Sequence, residues 1–326
     1  MTYQNKKVLI TGGLGFLGSN LTRKLLNDGA QITIVDNLNP LYGGNLFNIE
    51  GLEKDINIII EDVRDEDKLI PIIKDTDLIF HFAAQVSYID SLSMPYTDLD
   101  LNAKSTLQIL ELCRHYNPNA KIIFSSSRMV LGKIQTPKYG ENHPTNPLSL
   151  YAIHKLTSEK YLLMYYHDFG IRTTIFRITN PYGPRQQIKH SKYSLPGWFI
   201  RQALEGKEIS IFGSGEQVRD YIYIDDIVNA MYYTILNSES DGEIINLGSG
   251  YPSKFKDMVT NIVEIVGSGS IRYIPWPENY EKIETGDSIP DISKLTKISG
   301  YKSNISLKKG IELTANYYKE FMNHYV

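Results

Sequence analysis

Thr11-Gly12-Gly13-Leu14-Gly15-Phe16-Leu17-Gly18 is the stretch on which the fold turns. An apolar, β-branched run at 8–11 leads into it, and Ser19-Asn20-Leu21-Thr22-Arg23-Lys24-Leu25-Leu26 leaves it with apolar residues at helical spacing. Gly12, Gly15 and Gly18 therefore punctuate the passage from a strand to a helix. Gly12 permits the tight turn, and Gly15 lets the backbone come close to a pyrophosphate. Gly18 lets the helix pack on the strand while its first amides, at Phe16 and Leu17, face the anion. A glycine-rich turn with no ligand is the alternative reading of so short a motif.

The next run, at 32–35, weakens that alternative because it closes on Asp36. A carboxylate at the end of the second strand accepts hydrogen bonds from both ribose hydroxyls of an adenosine and repels a 2′-phosphate. Glycines and carboxylate together predict a dinucleotide site that takes NAD rather than NADP. Asn37 adjoins it, and Asp62-Val63, just past the third run, falls where the adenine would lie. Asp62 would serve equally as a helix N-cap for the segment starting at Asp65.

Outward from this motif, short apolar runs at 8–11, 32–35, 56–60, 78–82, 122–126 and 173–176 alternate with helical patterns near 15–28, 65–74, 102–116 and 150–168. That order builds a parallel sheet through right-handed crossovers, the doubly wound Rossmann form of the α/β class. After Asn180 the texture becomes polar and proline-punctuated, as in a long functional loop, and shorter elements follow in mixed order. The expected organisation is a Rossmann domain over 1–180 and a smaller mixed substrate lobe over 181–326, with later segments returning to the first.

Composition sets the class. The 326 residues carry 34 basic and 37 acidic side chains, a formal charge of −3, so no global field draws in a nucleic acid. The single cysteine, Cys113, cannot form an internal disulfide, and no Cys/His cluster has metal-ligand spacing, so no metal is expected. No run approaches the ~20 apolar residues that span a bilayer. These features read as a cytoplasmic protein without a membrane partner.

Tyr151 and Lys155 stand four apart in SLYAIHKLTSEKYLL, so a helix places both on one face. An ammonium beside a phenol stabilises the phenolate and makes it a usable acid/base toward a sugar hydroxyl, and it also suits a nicotinamide ribose. Among 23 tyrosines such a pair can equally be a solvated helix face. Its place after the run ending in Phe124-Ser125-Ser126-Ser127, at the carboxyl edge of the sheet where Rossmann ligands bind, favours chemistry. Ser127 could bond the same hydroxyl, or be an ordinary strand-to-loop residue.

These blocks together resemble the nucleotide-sugar epimerase/dehydratase family of extended short-chain dehydrogenase/reductases. The likeness extends to His81-Phe82-Ala83-Ala84, to Asn102, to the run Arg177 to Pro184, to the run Gly213 to Asp226, and to Asn246-Leu247-Gly248-Ser249. The resemblance implies that Phe82, Ala83, Ala84, Asn102 and Ser125 meet the cofactor. It implies that Asn180 and Arg219 hold the diphosphate of a nucleotide sugar, with Arg185 in the nucleotide loop. A capping Asn180 and a surface Arg219 paired with Asp220 are the plainer alternatives.

Reactions in the family diverge after the first oxidation. Dehydratases carry an acidic pair after the serine or threonine, and decarboxylases a glutamate in the second of those positions; here Arg128 and Met129 follow Ser127. Neither is a carboxylic acid, which leaves epimerisation at C4 of a UDP-sugar as the implied reaction. Ala84-Gln85-Val86 and Gly197-Trp198-Phe199 resemble CDP-tyvelose 2-epimerase instead, and mark Gln85 and Trp198 as substrate contacts. Dehydration or decarboxylation ranks behind that, and an NAD-bound regulatory protein is the non-enzymatic alternative.

Three departures stand out: Leu131 where the family has tyrosine, Glu284-Thr285-Gly286-Asp287 where many members have Arg-Pro-Gly-Asp, and the loop 38–48. Lys282 or Arg185 would have to replace the missing arginine. A homodimer is implied through helices 102–116 and 150–168, with Leu107, Leu110, Leu112, Leu162, Met164 and Tyr165 as the apolar positions.

Overall fold

The structure, a computed structural model, describes residues 2–136, 138–278 and 284–326. Its centre is a seven-stranded sheet in the order Glu243–Leu247, Thr173–Ile178, Lys121–Ser127, Leu78–His81, Lys7–Thr11, Gln31–Asp36 and Asn57–Ile60. Every neighbouring pair is parallel. The inner strands are buried along nearly their whole length, which explains their continuous apolar runs: helices cover both faces of a parallel sheet.

The six strands read from the sequence all form. From Lys7–Thr11 the chain winds outward to Asn57–Ile60, then returns to Leu78–His81 on the other side of the first strand. This reversal opens a crevice at the carboxyl edge, bounded by the glycine turn on one side and residues 82–84 on the other. The seventh strand, Glu243–Leu247, is the segment that returns from the C-terminal half. It pairs in register with Thr173–Ile178, Asn246 lying opposite Arg177. Its five residues, EIINL, carry no alternation that would separate them from the irregular elements around them.

Among the described residues, three small sheets accompany the central one. Val218–Tyr223 is central between Asn180–Tyr182 and Pro252–Lys254, Glu208–Phe212 pairs with Ser270–Ile274, and Lys138–Tyr139 pairs with Ile289–Pro290. The expected helix at 102–116 starts earlier. Pro95–Leu99 opens it with proline in its first turn, a π-helical turn Asp100–Lys104 follows, and Ser105–Tyr116 completes it. Asn102 lies, buried, within this π turn. Among the described residues, no helix is long and apolar enough to cross a membrane.

Candidate active site

The glycine turn is built by close approach. Gly12 has φ +71°, and a Cβ there would lie 2.7 Å from the amide nitrogen of Ala83; a Cβ on Gly18 would strike the carbonyl of Gly12. Gly15 differs, since a Cβ on it would meet only the Gly12 carbonyl at 3.3 Å. The helix Phe16–Asn27 starts there with no side-chain cap and no acid in its first turn, so its positive end is left for an anion.

Asp36 is 8% exposed, and its carboxylate accepts from the amides of Leu14 at 3.0 Å and Leu38 at 2.8 Å. Burial raises its pKa and the two amides oppose the rise. Gly12, Gly15, Phe16, Leu17, Gly18, Asp36, Asn37, Val63, Phe82, Ala83, Ala84 and Ser125 all line one cleft of about 700 Å³. The uncapped helix start and the ordered carboxylate fit the two ends of an ADP moiety, so the residues present suit NAD.

His81 holds this wall together. Its Nδ1 lies 2.8 Å from the Thr11 hydroxyl, which also accepts from the Ala83 amide at 3.2 Å, and its Nε2 lies 3.3 Å from the Ser105 hydroxyl. Burial, with Lys155 nearby, pulls its pKa down to about 3, so the ring is neutral at ordinary pH. Thr11 then donates to Nδ1 while Nε2 donates to Ser105, whose own proton goes to the Leu101 carbonyl at 2.7 Å.

On the facing wall, the helix Leu150–Phe169 begins at Ser149, whose hydroxyl accepts from the Ala152 amide. Tyr151 and Lys155, one turn apart, both enter the cleft beside Ser127. Lys155 donates to the Ser125 carbonyl at 3.1 Å, and its Nζ sits 4.6 Å from the centre of the Phe124 ring. Burial lowers its pKa to about 8 against the opposing pull of Asp98 and Glu159. The Tyr151 phenol behaves differently from the simple expectation. Burial pushes it above its ordinary value, a hydrogen bond with the Ser127 side chain opposes this, and Asp98 adds to the rise. With the ammonium drawn to Ser125, desolvation dominates over any stabilisation of the phenolate.

Two buried pairs behind this wall carried no signal in the sequence. Glu159 accepts from both Arg177 Nε at 3.0 Å and Nη2 at 2.7 Å, and from Ser126 at 2.6 Å, tying the helix to two strands. Asp98 lies 2.5 Å from Nδ1 of His154, the residue preceding Lys155. Each joins residues more than fifteen apart in sequence.

The third wall comes from the C-terminal half. Asn180, Trp198 and Arg219 line the cleft. The Asn180 amide donates to the Asp220 carbonyl at 2.7 Å, and Trp198 carries the Arg201 guanidinium over its ring. Arg219 donates to the carbonyls of Val218 and Gly286, each at 2.8 Å, and pairs with Glu284 rather than with Asp220. The Asp220 carboxylate is instead a buried acceptor for Thr179, Ser249 and Gly250.

Four expected contacts point elsewhere. The Gln85 side chain folds onto Ser87, bonding its backbone at both ends, and Asn102 donates to the Gln85 carbonyl at 2.8 Å, so this pair shapes the loop after Ala84. Arg185 donates to Asn20 at 2.8 Å and lies over the Tyr317 ring, behind the cofactor helix. Asp62 is held by Arg64 at 2.8 and 2.9 Å and by Asn37, and it caps no helix: Asp65 caps Glu66–Ile73. Lys282 lies outside the described residues. Residues with no assigned role do line the cleft, among them Tyr42 and Gly43 of the loop 38–48, and Tyr221.

Comparison with known proteins accords with this geometry. A putative UDP-glucose 4-epimerase of Methanocaldococcus jannaschii is 33% identical over 96% of this chain and 98% of its own length. A CDP-paratose 2-epimerase of Salmonella typhi is 30% identical over 94% of this chain and 97% of its own. The crystal structure of UDP-glucose 4-epimerase from Thermotoga maritima with UDP-glucose superposes with a TM-score of 0.88 at 30% identity, covering 97% of this chain and 99% of that one. A sequence model of the NAD dependent epimerase/dehydratase family matches residues 8–248. The dinucleotide turn, the buried tyrosine and lysine and this match over most of the chain lead to one conclusion: the protein is an NAD-dependent enzyme of the nucleotide-sugar epimerase/dehydratase family.

Proposed function

We propose that the enzyme inverts the C4 centre of a UDP-linked sugar through a transient 4-ketone. The observation that carries this reading is the composition of the cleft around Tyr151. Ser127 and Tyr151 share a hydrogen bond there, and Arg128 and Met129 line the same cleft. A proton donor and acceptor for one hydroxyl is thus present, and neither residue after Ser127 is a carboxylic acid that would expel a C6 hydroxyl.

Bound NAD would accept hydride from the sugar carbon and return it to the opposite face. Gly12, Gly15 and Gly18 would hold its pyrophosphate and Asp36 its adenosine ribose. Lys155, anchored by the Ser125 carbonyl, would bond the nicotinamide ribose. Tyr151 takes the hydroxyl proton as the ketone forms and gives it back as the ketone is reduced. Ser127 orients that hydroxyl toward the phenol. A phenol raised by burial is protonated at rest, so its work as a base depends on a cation in the assembled site, and Lys155, one turn along the same helix, would supply it. Arg219 and Asn180 would hold the diphosphate, which leaves the sugar free to rotate about its anomeric linkage between the two hydride steps.

We further read the protein as cytoplasmic and dimeric, with the substrate lobe beginning near residue 181. Among the apolar positions named for a dimer, Leu110, Leu112, Leu162 and Tyr165 are buried in the chain's own core, while Met164 is 40% exposed. Ile153 on the same helix, and Leu92 and Tyr96 on the short helices Tyr88–Ser93 and Pro95–Leu99 that pack against it, are exposed and are better candidates for the contact.

Inversion at C2 of a CDP-sugar is the second reading, supported by Trp198 and Phe199 in the cleft wall and by the Salmonella typhi relative. Incubating the NAD-loaded enzyme with UDP-, CDP-, GDP- and dTDP-sugars and following products by NMR tests both. A sugar inverted at C4 supports the first reading and inversion at C2 the second; a 4-keto-6-deoxy product overturns both.

A further inference from the structure

Arg128 sits at a corner of the cleft where positive charge exceeds negative. The Ser127 hydroxyl accepts from the Met129 amide at 3.2 Å and caps the short turn Arg128–Leu131, which fixes the backbone of Arg128 beside the catalytic serine. From there Nη1 reaches across to the Thr285 hydroxyl at 2.9 Å. Arg219 arrives at the same loop from the strand Val218–Tyr223, bonding Gly286 and Glu284.

Two guanidiniums thus converge on residues 284–286, and Glu284, the carboxylate between them, is engaged by Arg219. Among the described residues, Arg128 has no carboxylate within ion-pair distance. Burial and the neighbouring Arg219 pull its pKa down to about 10, which still leaves it charged at neutral pH. The Tyr221 hydroxyl, in the same cleft wall on a 6% exposed residue, is buried without a hydrogen-bond partner among the described residues.

A half-buried cation without a counter-charge among the described residues and a buried hydroxyl without a partner there are both costly, and one anion would relieve both. We propose that Arg128, Arg219 and Tyr221 form an oxyanion-binding corner, in which Arg128 supplies a second guanidinium to an anionic group of the substrate. The inference rests on the reading of this cleft as a nucleotide-sugar site. A phosphoryl oxygen of the diphosphate and a carboxylate on the sugar present the same chemistry to such a fork.

The test is calorimetric titration of the NAD-loaded protein with UDP, UDP-glucose and UDP-glucuronate, comparing wild type with Arg128→Gln. Loss of a charged hydrogen bond predicts roughly 10- to 100-fold weaker binding. An equal loss for all three ligands assigns Arg128 to the diphosphate, and a loss confined to UDP-glucuronate assigns it to a sugar carboxylate. Unchanged affinity for all three in a folded variant overturns the inference and leaves the cleft reading intact. Failure of the wild type to bind any of them, or the CDP, GDP and dTDP counterparts, removes the cleft reading and the inference with it. Should Arg128→Gln not fold, Arg128→Lys keeps the charge and loses the fork. At least a threefold loss is then expected, and no loss overturns the proposal.

Discussion

On the cofactor wall, the lining comes from short motifs at strand ends, residues 12–18, Asp36 and residues 82–84, each shaped within a single strand and the turn that follows it. On the opposite wall, proposed for the substrate, long side chains line the cleft, and Arg128, Arg219 and Glu284 meet from elements separated by 91 and 65 residues. The first wall is shaped by where a Cβ cannot go. The second is shaped by where charges must be matched. Tyr151 and Lys155 stand between them, on a helix anchored through Glu159 and Arg177 to the central strands. The two walls should therefore fail in different ways: the first by steric exclusion of the cofactor, the second by graded loss of affinity.

The largest effect is expected at the boundary. Tyr151→Phe should lower turnover by roughly 10³-fold, the range of acid–base catalysis, while UDP binding by calorimetry stays within a factor of two of wild type. Equal loss of turnover and affinity would mean that the phenol belongs to the binding wall.

Next comes the steric wall. Gly18→Val places a Cβ against the Gly12 carbonyl. The helix must back away from the turn, at a cost of about 1–3 kcal/mol in stability. Bound NAD, read by fluorescence of the purified protein, should fall below detection while the fold survives by circular dichroism. Retention of full NAD occupancy would mean that steric fit at Gly18 does not govern cofactor binding.

Asp36→Ser is expected to be milder. It removes the acceptor for the Leu14 and Leu38 amides and the charge that excludes a 2′-phosphate. NAD affinity should drop about tenfold and NADP binding should become measurable by titration.

The smallest effect is a shift of pH dependence. Lys155 titrates near 8, below its ordinary value, so its ammonium is lost as pH rises through that point, and kcat/KM should fall there. Asp98 raises the Lys155 pKa, so Asp98→Asn should move this falling limb to lower pH. A limb that stays in place would assign it to another group.

The same contrast explains what was legible. The glycine turn, Asp36 and the Tyr151–Lys155 spacing are local patterns, and each reports a geometry set by one strand, one turn or one helix. Gln85 and Arg185 were expected at the substrate because of the blocks they occupy, yet their side chains are captured by Ser87 and by Asn20. Nothing local distinguishes a glutamine that faces a ligand from one that closes its own loop. The strand Glu243–Leu247 was obscure for a similar reason, since five residues take their identity from the strand they pair with.

By itself, the sequence determined the doubly wound sheet, the cofactor class and the placement of Tyr151 and Lys155 on one helix face, because strand period, glycine sterics and helix spacing act over a few residues. Only the tertiary structure decided the balance of forces within the site. It set burial against hydrogen bonding at Tyr151, neutralised His81, gave Glu284 to Arg219 and left Arg128 facing the cleft without a carboxylate partner among the described residues. Desolvation and ion pairing depend on which distant residues are brought together, and that information exists only once the chain has folded.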